Sequence, residues 1–431
     1  MINFQPTGNE SLLDKGIALY NQKAFDQALA VFQKLVAIKP NYAIAHYNLG
    51  NAFVNTGKLD RAINSFQKAI EFNMGEDTPL AYYNLGNAYY QSGNFDRAIA
   101  AYKKAIGLNP ALGMAYNNLG LTLSNKPDKA SRHQAVRVLQ NALRLNAADI
   151  DALNNLGIAY GELGNLDKAM AMFNKALKLK PSDYKAYINS AKVLALKGDV
   201  NKAIALLKKA GKIAPDKFKV LYNLGCNLSR KGMFTQAIAS YQKALRIKPD
   251  DFDCLYNLAG DYLKKKNYAK AIEFYQKAIK SNPAHPAGYY NLGCTYMEQD
   301  DYEDAITYYR KAIEIKPDHA DAYYNLSNTY RQQCKLNEAL KSLETALSIY
   351  QKDKNPLKVA HCYFHLGGIY AGFANRKQSL RMYLSSLNLA KKLKNRGLTA
   401  ANYAMLVGLY GQLNDLKKSR QMAKEFLKIV K

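Results

Sequence analysis

A small residue returns along this chain about every thirty-four positions, and that period limits the fold more than any other feature. The residues that close the motif Y-N-L-G and its variants are Gly16, Gly50, Gly86, Gly120, Gly157, Ala191, Gly225, Ala259, Gly293, Ser327, Gly367 and Val407. Their successive intervals are 34, 36, 34, 37, 34, 34, 34, 34, 34, 40 and 40. Twelve positions after most of these markers stands a second small residue (Ala62, Ala98, Ala237, Ala271), and seven further on a third (Ala69, Ala105, Ala244, Ala278). Such self-similarity belongs to architectures that stack one supersecondary unit on the next, so chain length sets no domain count.

Each recurring residue has a mechanical reason. The marker and the alanine twelve positions later are the two halves of a close helix crossing, which a larger side chain would wedge apart. Gly57, Gly93, Gly164, Gly198 and Gly232 fall between two helical patterns, where a short turn needs a positive φ. Pro40, Pro110, Pro181, Pro215, Pro249, Pro283 and Pro317 cannot extend the second helix and open the link to the next unit. The expected fold is an all-α solenoid of about twelve antiparallel helix pairs. Residues 1–8 form an N-terminal tail, 9–350 ten units of about 34 residues, and 351–431 two longer units of about 40 residues. Met74 replaces one closing proline, with two extra residues within 75–78, and three extra residues lengthen the turn around 126–133. Ser379, Ser386 and Ser419 stand where alanine packs in other units, which marks the last repeats as the least tightly packed.

The spacing, the Y-N-L-G motif and the closing proline together resemble the tetratricopeptide repeat family over residues 9 to about 350. The 40-residue period that follows is similar to that of kinesin light chains and spindle-orientation adaptors. The resemblance implies a right-handed superhelix whose first helices line a concave wall and whose second helices form the convex outside. On that wall, asparagine stands two positions before the marker in nine consecutive units: Asn48, Asn84, Asn118, Asn155, Asn189, Asn223, Asn257, Asn291 and Asn325. Tyr47, Tyr83, Tyr222, Tyr256, Tyr290 and Tyr324 precede six of them, with Asn117, Asn154 and Ile188 in the middle units. A primary amide both donates and accepts hydrogen bonds, so a row of amides suits an extended peptide backbone. The row resembles the asparagine wall of the O-linked N-acetylglucosamine transferase superhelix. The alternative is that asparagine is merely the common residue of the repeat, satisfied by neighbouring helices. Facing an open groove, the ladder is expected to add little to stability. The lysine and arginine positions of the carboxylate clamp in chaperone-binding members of the family are Tyr and Asn here, which argues against that mode of binding.

Charge is the second feature. The chain carries a formal charge of +27 and a pI near 9.6, a strong positive field. Lys34, Lys68, Lys104, Lys175, Lys209, Lys243, Lys277 and Lys311 recur at one second-helix position that points away from the core. Lys185, Lys192 and Lys219, with Arg230 and Lys264, form a second group on first helices, flanked by Asp151 and Glu162. The partner expected is an extended or acidic protein segment held in the groove by a non-catalytic scaffold. Two alternatives are the recruiting arm of a larger enzyme such as a glycosyltransferase, and a polyanion binder (nucleic acid or acidic lipid) acting through the outer lysines.

Chemistry is sparse. There is no phosphate-binding glycine loop and no nucleophile with a base at useful spacing. His361 and His365 lie one turn apart around Cys362, but further ligands at metal spacing are lacking, so neither metal nor cofactor is expected. Five cysteines without a CxxC pair do not make a disulfide framework. The N-terminus lacks signal-peptide features and no run of eighteen apolar residues occurs, so a cytoplasmic setting without a membrane span is the expectation.

Overall fold

The computed structural model describes residues 8–430, which form twenty-four α-helices with no strand among them. Of the tail assigned to residues 1–8, all but Gly8 lies outside the described residues, and Gly8 opens the first helix. The helices pair in order, and the chain separates into two compact units, Met1–Pro215 and Asp216–Lys431, of six pairs each. The separation falls at a closing proline inside the run of 34-residue repeats. The lengthening begins with the second helix of repeat ten, Leu336–Lys352, already as long as Pro356–Gly372 in repeat eleven.

The marker is small because a side chain of the second helix lies across it. A Cβ on Gly50 would sit 2.6 Å from the Phe66 ring, on Gly86 2.6 Å from Tyr102, on Gly157 2.5 Å from Phe173 and on Gly225 2.5 Å from Tyr241. Each of those rings stands sixteen residues after its marker and is buried. In repeat four the three added residues move this partner to Leu139, which closes on Gly120 in the same way. Sizes trade off along the series. Ala191 and Ser327 stand sixteen residues before Leu207 and Leu343, and Val407 before Ala423, although Ala259 is matched with Tyr275.

The turn between the helices of a pair also repeats. The residue seven after the marker has positive φ at Gly57, Gly93, Gly164, Gly198 and Gly232, as expected. The same left-handed conformation holds Lys23, Lys266, Asp300, Cys334, Ala374 and Asn414. The extra residues at 75–78 become a short 3-10 turn, Gly75–Asp77, before the helix Thr78–Gln91.

The serines of the last repeats are not loose replacements for alanine. Ser379 and Ser386 are fully buried and donate to the carbonyl oxygens of Gly367 and Ala360, each at 2.8 Å. Ser419 donates to the Val407 carbonyl at 3.0 Å. Ser327, on the marker side of its own crossing, donates to the Ala339 carbonyl at 2.7 Å. A hydroxyl barely larger than a methyl fits the crossing and ties the two helices together, so serine there is a link.

The left-handed turn makes a direct prediction. A non-glycine residue in that conformation costs roughly 1–2 kcal/mol. Replacing Ala374 or Lys266 by glycine should therefore stabilise the unit Asp216–Lys431 by about 1 kcal/mol each, read as a higher urea midpoint. Gly232→Ala should lower the same midpoint by a similar amount. A fall on Ala374→Gly would show that the turn is not held as described.

Candidate functional site

In the unit Met1–Pro215, every first helix touches the next first helix, and the same contact joins repeats seven with eight and nine with ten in the other unit. Successive second helices make no comparable contact among the described residues. The first helices therefore line the tighter, inner side of each unit. All nine asparagines and six tyrosines of the ladder sit on these helices and are half-buried.

The ladder is a chain of bonds between repeats. Asn84 donates from its amide nitrogen to the Tyr47 hydroxyl (2.9 Å) and to Asn51 Oδ1 (3.0 Å). Asn118 donates to the Tyr83 hydroxyl (3.1 Å) and to Asn87 Oδ1 (2.8 Å). In the second unit Asn257 donates to the Tyr222 hydroxyl (3.1 Å), Asn291 to that of Tyr256, and Asn325 to that of Tyr290 (3.0 Å). Cys226 and Cys294 take the place of Asn51 and Asn87, with sulfur 3.9 and 3.5 Å from the Asn257 and Asn325 amides. Burial raises the pKa of Tyr47, Tyr222, Tyr256 and Tyr290, so these acceptors stay neutral phenols.

The ends and the middle of the ladder differ. Asn48 and Asn223 turn back to their own helices, onto the carbonyls of Ile44 (2.9 Å) and Lys219 (2.7 Å). Asn155 reaches Asn117 Oδ1 at 2.8 Å, since Asn117 replaces the usual tyrosine. Asn189 borders a cavity of about 280 Å³ with Lys192, Glu162, Phe173 and Leu196. Tyr324 has no asparagine above it. Its ring meets His365 edge-on at 5.3 Å, and His365 Nδ1 lies 2.8 Å from the Arg331 guanidinium.

Most amide donors of the ladder are thus engaged inside the protein, which runs against the expectation that the ladder adds little to stability. Its acceptor side is open. Among the described residues the carbonyl oxygens of Asn118, Asn257, Asn291 and Asn325 take no bond, and none of them is a fully buried atom. The position after the marker, where Asn51, Asn87, Cys226 and Cys294 supply the second contact, was not singled out in the sequence as part of the ladder. Its signal is a polar or thiol residue next to a marker that is otherwise small.

Lys185, Lys192 and Lys219 are exposed. Lys185 lies 4.0 Å from Asp151, and Glu162 is paired with Arg132 at 3.3 Å. The outer lysines are also exposed, and Lys277 and Lys311 pair with Glu273 and Glu314 on their own helices. The His361, Cys362 and His365 set diverges. The Cys362 thiol is buried in the core and pushed up to about 12, while His365 faces Arg331.

Family profiles match most of the chain. Residues 7–220 match the C-terminal domain of cilia and flagella-associated protein 70. Residues 218–251, and the overlapping segments 251–318, 286–352 and 318–392, match tetratricopeptide repeats. No curated protein matches the chain. Among solved structures, yeast Tom70 is similar at 16% identity, over 97% of this chain and 99% of that one, with a TM-score of 0.46. The Cut9-Hcn1 hetero-tetramer of the APC/C is similar at 15% identity, over 93% and 96%, with a TM-score of 0.45. A tetratricopeptide repeat protein from Parabacteroides merdae shares the fold at 18% identity, over 58% and 97%, with a TM-score of 0.51.

Two predictions follow from the ladder geometry. A net hydrogen bond contributes about 0.5–1.5 kcal/mol, so Tyr222→Phe, Tyr256→Phe and Tyr290→Phe together should destabilise the second unit by about 1.5–4.5 kcal/mol. Adding Asn257→Ala, Asn291→Ala and Asn325→Ala should then cost much less than it does in the unaltered protein, because the bonds are already gone. Full additivity in denaturant unfolding would mean the rungs carry no energy.

The second concerns acid. Burial, then Arg331 and His361, lower the His365 pKa from 6.5 to about 4. A depressed histidine contributes stability that is present above 6.5 and lost as pH falls through about 4. By the usual conversion of pKa to free energy, that loss is up to about 3 kcal/mol. His365→Asn, which supplies the ladder residue, should flatten the fall in melting temperature between pH 6.5 and 4. An unchanged pH profile would remove His365 as its source.

Proposed function

Starting from the premise that this chain is a tetratricopeptide-repeat protein, we propose that it is a non-catalytic scaffold that holds an extended segment of another protein against its first helices. The observation that carries this reading is the row of open amide oxygens. Tyrosine hydroxyls of the preceding repeat fix the amide nitrogens of Asn118, Asn257, Asn291 and Asn325, so their orientation is set before any partner arrives. Pre-set acceptors cost little ordering on binding, and a backbone N–H is the donor that an extended chain offers regardless of sequence. The cavity beside Asn189 adds room for an apolar side chain, lined by Phe173 and Leu196 with Lys192 at its edge. That mixture favours a segment carrying both aliphatic and acidic residues.

The test is photo-crosslinking. A benzoylphenylalanine at Cys294 or Asn328, beside the ladder, should capture partner peptides from a native extract, identified by mass spectrometry. The same probe at Lys277 or Lys311 on the second helices should capture few. Capture from the outer positions alone would overturn the groove reading. Capture at the inner positions should also survive about 0.3 M salt, since neutral amide bonds are weakly screened.

A further inference from the structure

The positive charge is unevenly distributed. Residues 351–431 hold sixteen lysines and arginines against three acids, Asp353, Asp415 and Glu425, which is +13 of the chain's +27. The sixty-one residues between Asp353 and Asp415 contain no acid at all. Much of this charge gathers where the link between repeats eleven and twelve meets the end of the helix Leu416–Val430. Arg396 donates to the Ile429 carbonyl at 2.9 Å, which ties that link to the helix end. Lys391 lies 5.2 Å over the Tyr403 ring. Glu425, the single acid there, pairs with Lys428 at 2.7 Å and is lowered in pKa first by that lysine and also by Lys391. Lys392, Lys394 and Lys424 stand beside them, exposed and in no ion pair among the described residues.

The same edge exposes large aliphatic side chains between its cations. Val430 is 61% exposed, Leu427 53% and Leu393 37%. No residue of the helix Leu416–Val430 is buried, although Met422, Phe426 and Ile429 pack in part on the core. From this combination we infer that the edge formed by Lys391–Arg396 and the helix Leu416–Val430 docks on an anionic lipid surface. Lysines interleaved with leucine and valine suit lipid, where the charges meet headgroups and the aliphatic side chains enter the acyl boundary. Nucleic acid would satisfy the charges and leave the aliphatics in water. Base stacking needs aromatic faces, and Tyr403, the ring of the cluster, is only 3% exposed.

Flotation of the full chain with vesicles tests this inference. At about 0.1 M salt the protein should rise with phosphatidylcholine vesicles that carry one-third phosphatidylserine, and stay down with pure phosphatidylcholine. Each lysine near an anionic surface contributes about fivefold in affinity. The triple change Lys391→Gln, Lys392→Gln, Lys394→Gln should therefore weaken binding about a hundredfold. Leu427→Ser with Val430→Ser should weaken vesicle binding about tenfold while leaving retention on a single-stranded oligonucleotide column unchanged. All five positions are exposed, and unchanged circular dichroism melting confirms that the variants fold. Three results would each overturn the inference: no flotation on phosphatidylserine vesicles, full vesicle binding by the leucine and valine variant, or a wild-type dimer that this variant dissolves.

Discussion

The contact on which the rest of the structure depends is a small residue lying against a large one sixteen positions later. It sets how closely the two helices of a pair cross. The same buried ring also orients the ladder. Tyr47 packs on Phe66, Tyr83 on Tyr102, Tyr222 on Tyr241 and Tyr290 on Tyr309, with ring centroids about 6 Å apart. Such pairs contribute about 0.5–1.5 kcal/mol beyond area burial. Tyr47, Tyr83, Tyr222 and Tyr290 are therefore aimed by their own repeats' cores, and each hydroxyl meets the next repeat's asparagine in a fixed place. Register between repeats follows from packing within them, as a nearest-neighbour solenoid requires.

Where this device is missing, another polar link takes its place. Repeat five has Asn154 instead of the ladder tyrosine. Asn154 is buried and donates to Asp183 Oδ2 at 2.6 Å, while Asp183 also accepts the Lys185 backbone N–H at the start of the next helix. A helix cap thus doubles as the tie between repeats five and six. Between repeats seven and eight a polar link is added to the Asn257–Tyr222 rung: Asp261 stands two after the marker, and Ser229 donates to its Oδ1 at 2.5 Å. Burial raises the Asp261 pKa, and its Oδ2 has no partner. That side chain ties the two repeats at a cost in stability, since an unpaired buried acceptor is unfavourable.

The period, the crossing residues and the glycine turns were legible because each rests on a steric rule that acts within one repeat. The ring sixteen positions on was not, since Phe, Tyr and Leu share the site and only bulk unites them. The ladder residues stood out by their spacing, but the destination of their amides was not evident. Asn118 and Tyr83, Asn257 and Tyr222, and Asn325 and Tyr290 are each thirty-five residues apart, one more than the period. That offset gains meaning only when one first helix is laid on the next. The six non-glycine residues of the left-handed turn escaped notice for a simpler reason: glycine permits that conformation and does not monopolise it. Reading charge by position within the repeat drew attention to the second-helix lysines and away from the acid-free stretch after Asp353.

The two kinds of surface suit different stages of an association. The charge acts at a distance, and at physiological salt its reach is about 8 Å. It raises the rate of encounter with acidic surfaces more than it holds them. Amide oxygens act only in contact and are almost indifferent to salt, so they lengthen residence. With one amide hydrogen already given to tyrosine, these amides offer chiefly their acceptors. A bound segment must then present donors, which a backbone in a helix cannot do because its N–H groups are engaged. An extended strand leaves N–H groups free along its edge. Under the groove reading proposed above, the internal bonding of the ladder therefore narrows the class of partner: it disfavours a preformed helix gripped through its backbone and favours a chain that arrives extended or unfolded.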